Sequence, residues 1–328
     1  MFVLQGISMD REVYFKSEGV RLYGTLTIPD GTKKSPACLF IGGSMPQTRE
    51  GDIDNSHKDW FPKPLPQRKL FHDEAKIFND VGLATFRYDK RGCGKSEGDF
   101  NSTALFDLIE DARVAVKWLK TQSGIDPLRV GVLGQSEGAM IALVLAVTEP
   151  GTSFYIWQGG IYSNLRRLVR WQAENFFKTD EKAIEGMKKN APLIYWVYKQ
   201  VEEAIAATDA GEGRFRFGDE NYSYAWNMAW WREHFQFSAP EYLERLKCPV
   251  LLLHGELDHN TPASEAEKAR NALLAAGNEN VNMRIFKGLD HSFRRLEHKD
   301  EDFVSSMAKP LDPAMAEVLR DWLETKIT

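Results

Sequence analysis

Short apolar runs alternate with stretches of helical period along most of this chain, and that alternation limits the possible folds more than any other feature. Ala37-Cys38-Leu39-Phe40-Ile41, Leu83-Ala84-Thr85-Phe86-Arg87-Tyr88, Arg129-Val130-Gly131-Val132-Leu133 and Phe154-Tyr155-Ile156-Trp157 read as strands, as do Pro249-Val250-Leu251-Leu252-Leu253-His254 and Val281-Asn282-Met283-Arg284-Ile285-Phe286. Helical patterns separate them. One runs from Leu70 to Val81 and is closed by Gly82. A second places Leu105, Leu108, Ile109, Ala112, Val116 and Leu119 on one stripe, and others span Ala139 to Val147, Ala263 to Ala276 and Pro310 to Thr325. A strand followed by a helix must cross over to rejoin its sheet, so the expected fold class is α/β, a mostly parallel central sheet flanked by helices. Ahead of it, Val13, Phe15, Val20, Leu22, Gly24, Leu26 and Ile28 alternate around Glu18-Gly19, which predicts a β-hairpin ending at Pro29-Asp30-Gly31.

The alternation stops near residue 161 and resumes at Pro249. Between 161 and 240 there is no strand-length β-branched run. Charge there is balanced at 11 Lys+Arg and 11 Asp+Glu, and 16 of 80 residues are aromatic, against 12% in the whole chain. The expectation is a helical, aromatic-rich cap over 161–240, inserted into a core domain formed by 1–160 and 241–328. Its rings either build the cap's own core and fasten it down, or line a substrate pocket. Trp226, Trp230 and Trp231 are spaced by four and five, so on a helix they would share one broad face and could roof a pocket for small or aromatic apolar groups.

Composition excludes several function classes. With 328 residues and 43% hydrophobic content the chain can bury a core, which excludes disorder as its main state. Its 42 basic and 47 acidic side chains give a formal charge of −5, not the basic face of a nucleic-acid binder. No run of about 18 apolar residues is present, so no membrane span is expected. The start, Met1 to Asp10, lacks the pattern of a secretory signal, so the expected location is cytoplasmic. Cys38, Cys93 and Cys248 are too few for a disulfide framework or a four-cysteine zinc site. His254 and His259 lie five apart with no third ligand nearby, so no metal is expected, nor any cofactor.

The most informative local pattern is Gly134-Gln135-Ser136-Glu137-Gly138, between a predicted strand and a predicted helix. A serine on such a sharp turn needs small neighbours, and the turn leaves the Glu137 N–H at a helix N-terminus, aimed at a developing oxyanion. Serine is a poor nucleophile at neutral pH and needs a base, which in turn needs an orienting acid. Of the seven histidines, His291 lies in a loop just after the last strand, at the carboxyl edge of the sheet. His254 ends a strand and reads as a packed, hydrogen-bonded residue, His259 reads as a surface residue, and His298 lies in a charged stretch. Asp258 follows the fifth long strand and is the first choice for the acid, with Glu256 and Asp290 as rivals. Gly42-Gly43-Ser44-Met45-Pro46 follows the first long strand, where a second oxyanion N–H belongs, from Ser44 or else Met45. Gly92-Cys93-Gly94-Lys95-Ser96 resembles the end of a phosphate-binding loop. That motif needs a glycine where this chain has Asp89, so the segment reads as a structured turn.

Taken with Tyr88-Asp89-Lys90-Arg91-Gly92-Cys93-Gly94-Lys95-Ser96, Pro249 to Asp258 and Asp290-His291, these segments make the chain resemble the α/β-hydrolase superfamily. The likeness covers nearly its whole length, in the branch of bacterial esterases and dienelactone-hydrolase-like or dipeptidyl-peptidase-like proteins. The resemblance implies an α/β-hydrolase fold with a helical cap. It also implies Ser136 as nucleophile, Asp258 as acid, His291 as base, and an oxyanion hole from Glu137 with Ser44 or Met45. Met45 stands where many relatives carry glycine, which adds a side chain beside the acyl pocket. The expected activity is hydrolysis of carboxylic esters of small or medium acyl or aryl groups, with a small-molecule ester as partner. Thioesterase, acyltransferase and aminopeptidase chemistry on the same triad are the alternatives, together with a non-catalytic binding protein. An aminopeptidase would need an acid for the free amino group, for which Glu202-Glu203 or Asp219-Glu220 are candidates.

Overall fold

Glu18 and Gly19 both take positive φ, 49° and 83°, in the computed structural model. Strand β1 (Met9–Ser17) therefore turns back as β2 (Val20–Ile28) through a two-residue turn whose twist matches that of the strands. The structure describes residues 9–30, 34–298, 301 and 303–326. Residues 1–8 of the leading segment and Gly31 of the hairpin-ending tripeptide lie outside that set.

The predicted alternation follows as β3 (Ser35–Ile41), α1 (Leu70–Asp80), β4 (Ala84–Tyr88), α2 (Leu105–Lys120), β5 (Ile125–Gln135), α3 (Glu137–Thr148) and β6 (Thr152–Gln158). Helices α4 (Leu165–Phe176), α5 (Glu181–Asn190), α6 (Pro192–Lys199) and α7 (Val201–Asp209) come next. Strands β7 (Arg214–Gly218) and β8 (Ser223–Asn227) and helices α8 (Ala229–Gln236) and α9 (Ala239–Leu243) complete the insertion. The chain closes with β9 (Val250–Gly255), α10 (Ser264–Ala275), β10 (Val281–Phe286), α11 (Phe303–Met307) and α12 (Pro313–Lys326).

Eight strands form one sheet in the order β1-β2-β4-β3-β5-β6-β9-β10. The hairpin joins β4 antiparallel, and every pairing from β4 to β10 is parallel. Strand alternation divides the core between the two faces. Leu39, Ile41, Val132, Tyr155 and Trp157 pack with α2 and α3 on one side. Cys38, Phe40, Leu133, Ile156 and Leu253 pack with α1 and α12 on the other. Helix α3 is buried on every side over Glu137 to Leu145, as a helix sandwiched between sheet and neighbours must be.

The insertion between β6 and β9 is not wholly helical. Arg214-Phe215-Arg216-Phe217 and Tyr224-Ala225-Trp226 form an antiparallel pair, with Phe215 opposite Trp226. Aromatic rings on alternate residues suit a pleated surface as well as β-branched ones do, and it was only β-branched runs that the sequence reading sought there. Trp226 therefore lies on a strand, not on one helix with Trp230 and Trp231. Among the described residues, no helix is long and apolar enough to cross a membrane.

One core charge stands out. Glu74, on α1, is fully buried, and Gln158 Nε2 donates to it at 2.7 Å. Burial pushes its carboxyl up to about 8, although Gln158 and the Arg294 guanidinium pull the other way. A pKa raised in the folded state adds stability that is full below the unfolded value of about 4.3 and is lost as pH rises through about 8. The drop in Tm between pH 5 and pH 8.5 should therefore be smaller in Glu74→Gln than in the parent. Equal drops in thermal melts would show that Glu74 does not titrate in that window.

Candidate active site

Ser136 sits between β5 and α3 with φ 58° and ψ −121°, a backbone state that a residue with a β-carbon rarely adopts. Its neighbours hold it there. A Cβ on Gly134 would lie 2.0 Å from the Gly138 carbonyl oxygen, and one on Gly138 would lie 2.1 Å from that of Ile41. The motif's two glycines are thus a packing requirement of strand against helix. The Ser136 N–H donates to the Gln158 carbonyl at 2.8 Å, tying the turn to β6. From the other side Gly43 closes in, where a Cβ would come within 3.1 Å of Ser136 Cβ. The following residues, Ser44 and Met45, are half-buried and face the same cavity as Ser136.

The loop after β9 carries Asp258, fully buried, with Oδ2 2.6 Å from His291 Nδ1. Its Oδ1 accepts the backbone N–H groups of Asn260 and Thr261, both at 2.8 Å, and Thr261 Oγ1 donates to Oδ2 at 2.9 Å. Burial alone would raise its pKa, but His291 and His254 outweigh burial and hold it well below the usual carboxylate range. Gly159 leaves room for the imidazole: a Cβ there would lie 2.9 Å from the ring of His291.

The rivals sit elsewhere. Glu256 is exposed and accepts the Gly288 N–H at 3.0 Å. Asp290 Oδ1 accepts the N–H groups of Ser292 and Arg294 at 2.9 and 2.8 Å, shaping the loop that presents His291. His298 is exposed, and His259 faces the cavity from an exposed position. His254 is buried and hydrogen-bonded, as expected. Its Nε2 lies 2.9 Å from the Thr261 carbonyl oxygen and 3.2 Å from Asp258 Oδ2, so one carboxylate serves two imidazoles.

Ser136 and His291 open onto one cavity of about 300 Å³. Trp226, Trp230 and Trp231 line it, as do Leu165 and Leu168 of α4 and Leu193 and Val197 of α6. Trp226 stacks on Trp230 at 5.3 Å, and Trp231 stacks on Phe217 at 6.1 Å. The three tryptophans meet despite their mixed secondary structure.

Sequence reasoning missed the side chain of Glu137. Its carboxylate is buried beside the Ser136 turn and accepts from Lys90 Nζ at 2.9 Å and from Trp230 Nε1 at 2.8 Å. His234 Nε2 lies 3.1 Å away. Burial would raise the pKa of Glu137, but Lys90 and His234 hold it at about 2. The apolar stretch around the motif gave no sign of this pairing, because its partners come from residues 47 and more positions away. Lys90 belongs to the turn that mimics a phosphate-binding loop. There Asp89 takes a two-pronged contact from Arg49, with Nε at 3.1 Å and Nη2 at 2.6 Å.

Among the described residues, Asp54, His57 and Cys93 bring a carboxylate, an imidazole and a thiol within 4.8 Å of one another. Their polar atoms already brace the loop. Asp54 accepts the N–H groups of Gly94 and Ser56 at 2.6 and 2.9 Å, and His57 Nε2 lies 2.9 Å from the Gly92 carbonyl oxygen. Burial pushes the Cys93 thiol up to about 12, far from the thiolate a metal prefers.

The profile of the family described as serine aminopeptidase, S33, matches residues 68–297, more than half of the chain. The esterase EstD of Thermotoga maritima is 24% identical over 302 residues, covering 92% of this chain and 65% of that esterase. The chain therefore spans less than two thirds of that relative's own length. Among solved structures, Est1E from Butyrivibrio proteoclasticus superposes with a TM-score of 0.63 at 15% identity, over 96% of this chain and 99% of that one. The Pyrococcus furiosus esterase Pf2001 gives 0.58 at 16% identity, over 98% of this chain and 92% of that one. At such identities the superpositions establish the α/β-hydrolase fold.

The strained turn yields a direct test. Ser136→Gly and Ser136→Ala both lack Oγ, but only glycine adopts φ 58° freely. The glycine variant should be more stable than the alanine variant by about 1 kcal/mol, read from urea midpoints at equal m-values. A less stable glycine variant would mean that the turn holds no strain at Ser136.

Proposed function

This chain belongs to the serine aminopeptidase S33 family of α/β-hydrolases, and on that premise we propose that it is a serine esterase acting on carboxylic esters with small or medium apolar acyl or aryl groups. The observation that carries the reading is the 2.6 Å Asp258–His291 contact, opening onto the same cavity as a serine on a strained strand-to-helix turn. Ser136 Oγ attacks the ester carbonyl while His291 Nε2 takes its proton. Asp258 holds the Nδ1–H tautomer and stabilises the imidazolium that forms. The N–H groups of Glu137 and of Ser44 or Met45 receive the oxyanion. His291 then protonates the departing alcohol, and water activated by the same imidazole cleaves the acyl-enzyme. Residues 161–240 act as a cap that excludes water and shapes the acyl site, with Trp226, Trp230 and Trp231 in its wall.

The apolar walls from α4 and α6 favour hydrocarbon substituents over charged ones. The acid pairs considered for an aminopeptidase support that alternative poorly. Glu202 pairs with Arg170 at 2.6 Å on the surface, and Asp219 caps the β7–β8 turn through Asn221 and Tyr222. All four acids are exposed.

Ser136→Ala should lower kcat by about 10⁴–10⁶-fold and abolish labelling by a fluorophosphonate probe, with the far-UV circular dichroism of the parent. Asp258→Asn should cost about 10³–10⁴-fold. Hydrolysis near the parent rate by Ser136→Ala would end the assignment. For substrate length, Trp231→Ala should raise kcat/KM for long relative to short acyl esters by about tenfold, since one or two methylenes of fit are worth about 1–3 kcal/mol. A lowered Tm with an unchanged ratio would leave Trp231 as a packing residue alone.

A further inference from the structure

Lys90 follows β4 and is almost fully buried, yet its ammonium touches neither His291 nor Asp258 in any contact described above. It donates to the Gly43 carbonyl at 2.6 Å and to the Glu137 carboxylate at 2.9 Å. Those two partners belong to the two segments from which the oxyanion N–H groups come. We propose that Lys90 is a positioning residue that clamps both halves of the oxyanion hole. The proposal rests on the esterase reading above and deepens it.

The geometry of one peptide unit gives the first half of the argument. The Gly43 C=O and the Ser44 N–H share a planar trans peptide, so they point in opposite directions. An ammonium fixed on the carbonyl sets the plane of that peptide and turns the Ser44 N–H away from Lys90. Gly43 has no side chain to resist that plane, and its own N–H donates to Gln47 Oε1 at 3.2 Å. A cation on the carbonyl also polarises the amide and strengthens its N–H as a donor. Of the two candidate donors, Ser44 is therefore the one that Lys90 selects.

The second half concerns Glu137. Its backbone N–H opens α3, and its own side chain is held by Lys90 on one oxygen and by Trp230 on the other. Rotation or fraying of that first residue would break both contacts. The ammonium and carboxylate cancel each other's charge at a distance, so Lys90 acts through alignment and not through net field. A full donor in an oxyanion hole is worth about 10²–10³ in kcat, and misaiming one forfeits part of that.

The test compares the parent with Lys90→Met, Lys90→Met/Glu137→Met and Lys90→Arg. The double variant removes the buried ammonium and carboxylate together, so neither is left facing an empty partner. Kinetics on a short ester, inhibition by an alkyl boronic acid that mimics the tetrahedral intermediate, and Tm are measured for each. In the folded double variant we expect kcat to fall by about 10–100-fold with KM within threefold, and boronate affinity to fall in parallel. Parent-like kcat in the double variant would overturn the proposal, because Lys90 would then serve only to neutralise Glu137. Should the methionine variants fail to fold, Lys90→Arg keeps the charge balance while displacing the contact to Gly43. A parent-like kcat and boronate affinity there would equally overturn the proposal, and a fall of fivefold or more in both at unchanged KM would support it. A parent that neither hydrolyses esters nor takes the fluorophosphonate label would remove the esterase reading itself, whereas an active parent with unaffected variants removes only the clamp.

Discussion

No β-carbon fits between the start of α3 and the end of β3, and the rest of the site depends on that closeness. The Gly138 backbone passes so near the Ile41 carbonyl that an added Cβ would lie 2.1 Å from it. The contact sets how far α3 descends onto the sheet, and therefore where Ser136 must turn. It also places the end of β3, with Gly42 and Gly43, directly beside Ser136. A strained serine and a glycine-bearing loop are brought together by one steric constraint.

Charge is handled locally around this turn. Each buried carboxylate near the site has its donors counted out within a few residues of space. Asp258 has two imidazoles, a hydroxyl and two backbone N–H groups. Glu137 has an ammonium, an indole and an imidazole. Asp89 has a two-pronged guanidinium and backbone donors from Arg49 and Lys95. Burying an anion costs several kcal/mol unless it is paired and hydrogen-bonded, so such sites hold a single arrangement. Glu74 differs, since its second oxygen has no hydrogen-bond partner among the described residues and burial dominates its pKa.

The insertion is joined to the site by polar as well as apolar contacts. Trp230 stacks on Trp226 and lines the cavity, while its indole N–H reaches the residue next to Ser136. One ring therefore links the wall of the cavity to the turn that carries Ser136.

The amino-acid sequence by itself determined the alternation of strands and helices, the opening hairpin, and the serine turn with its two glycines. Periodicity and local sterics are written into neighbouring residues, and no distant partner is needed to read them. That Asp258 and His291 would meet was legible because a parallel sheet gathers its loops at one edge, so chain order stands in for space. Tertiary structure decided what depends on distant residues meeting. β-branched runs do not reveal the strand at Trp226, because rings carry the alternation there. His254 reads from sequence as packed and hydrogen-bonded, but its approach to Asp258 closes only when the β9 loop folds back. Lys90 and Glu137 lie 47 positions apart in sequence, and they come within 2.9 Å because β4 and β5 both pair with β3. A buried ion pair of that kind leaves no periodic trace, because its energy comes from desolvation and distance and not from the pattern of the chain.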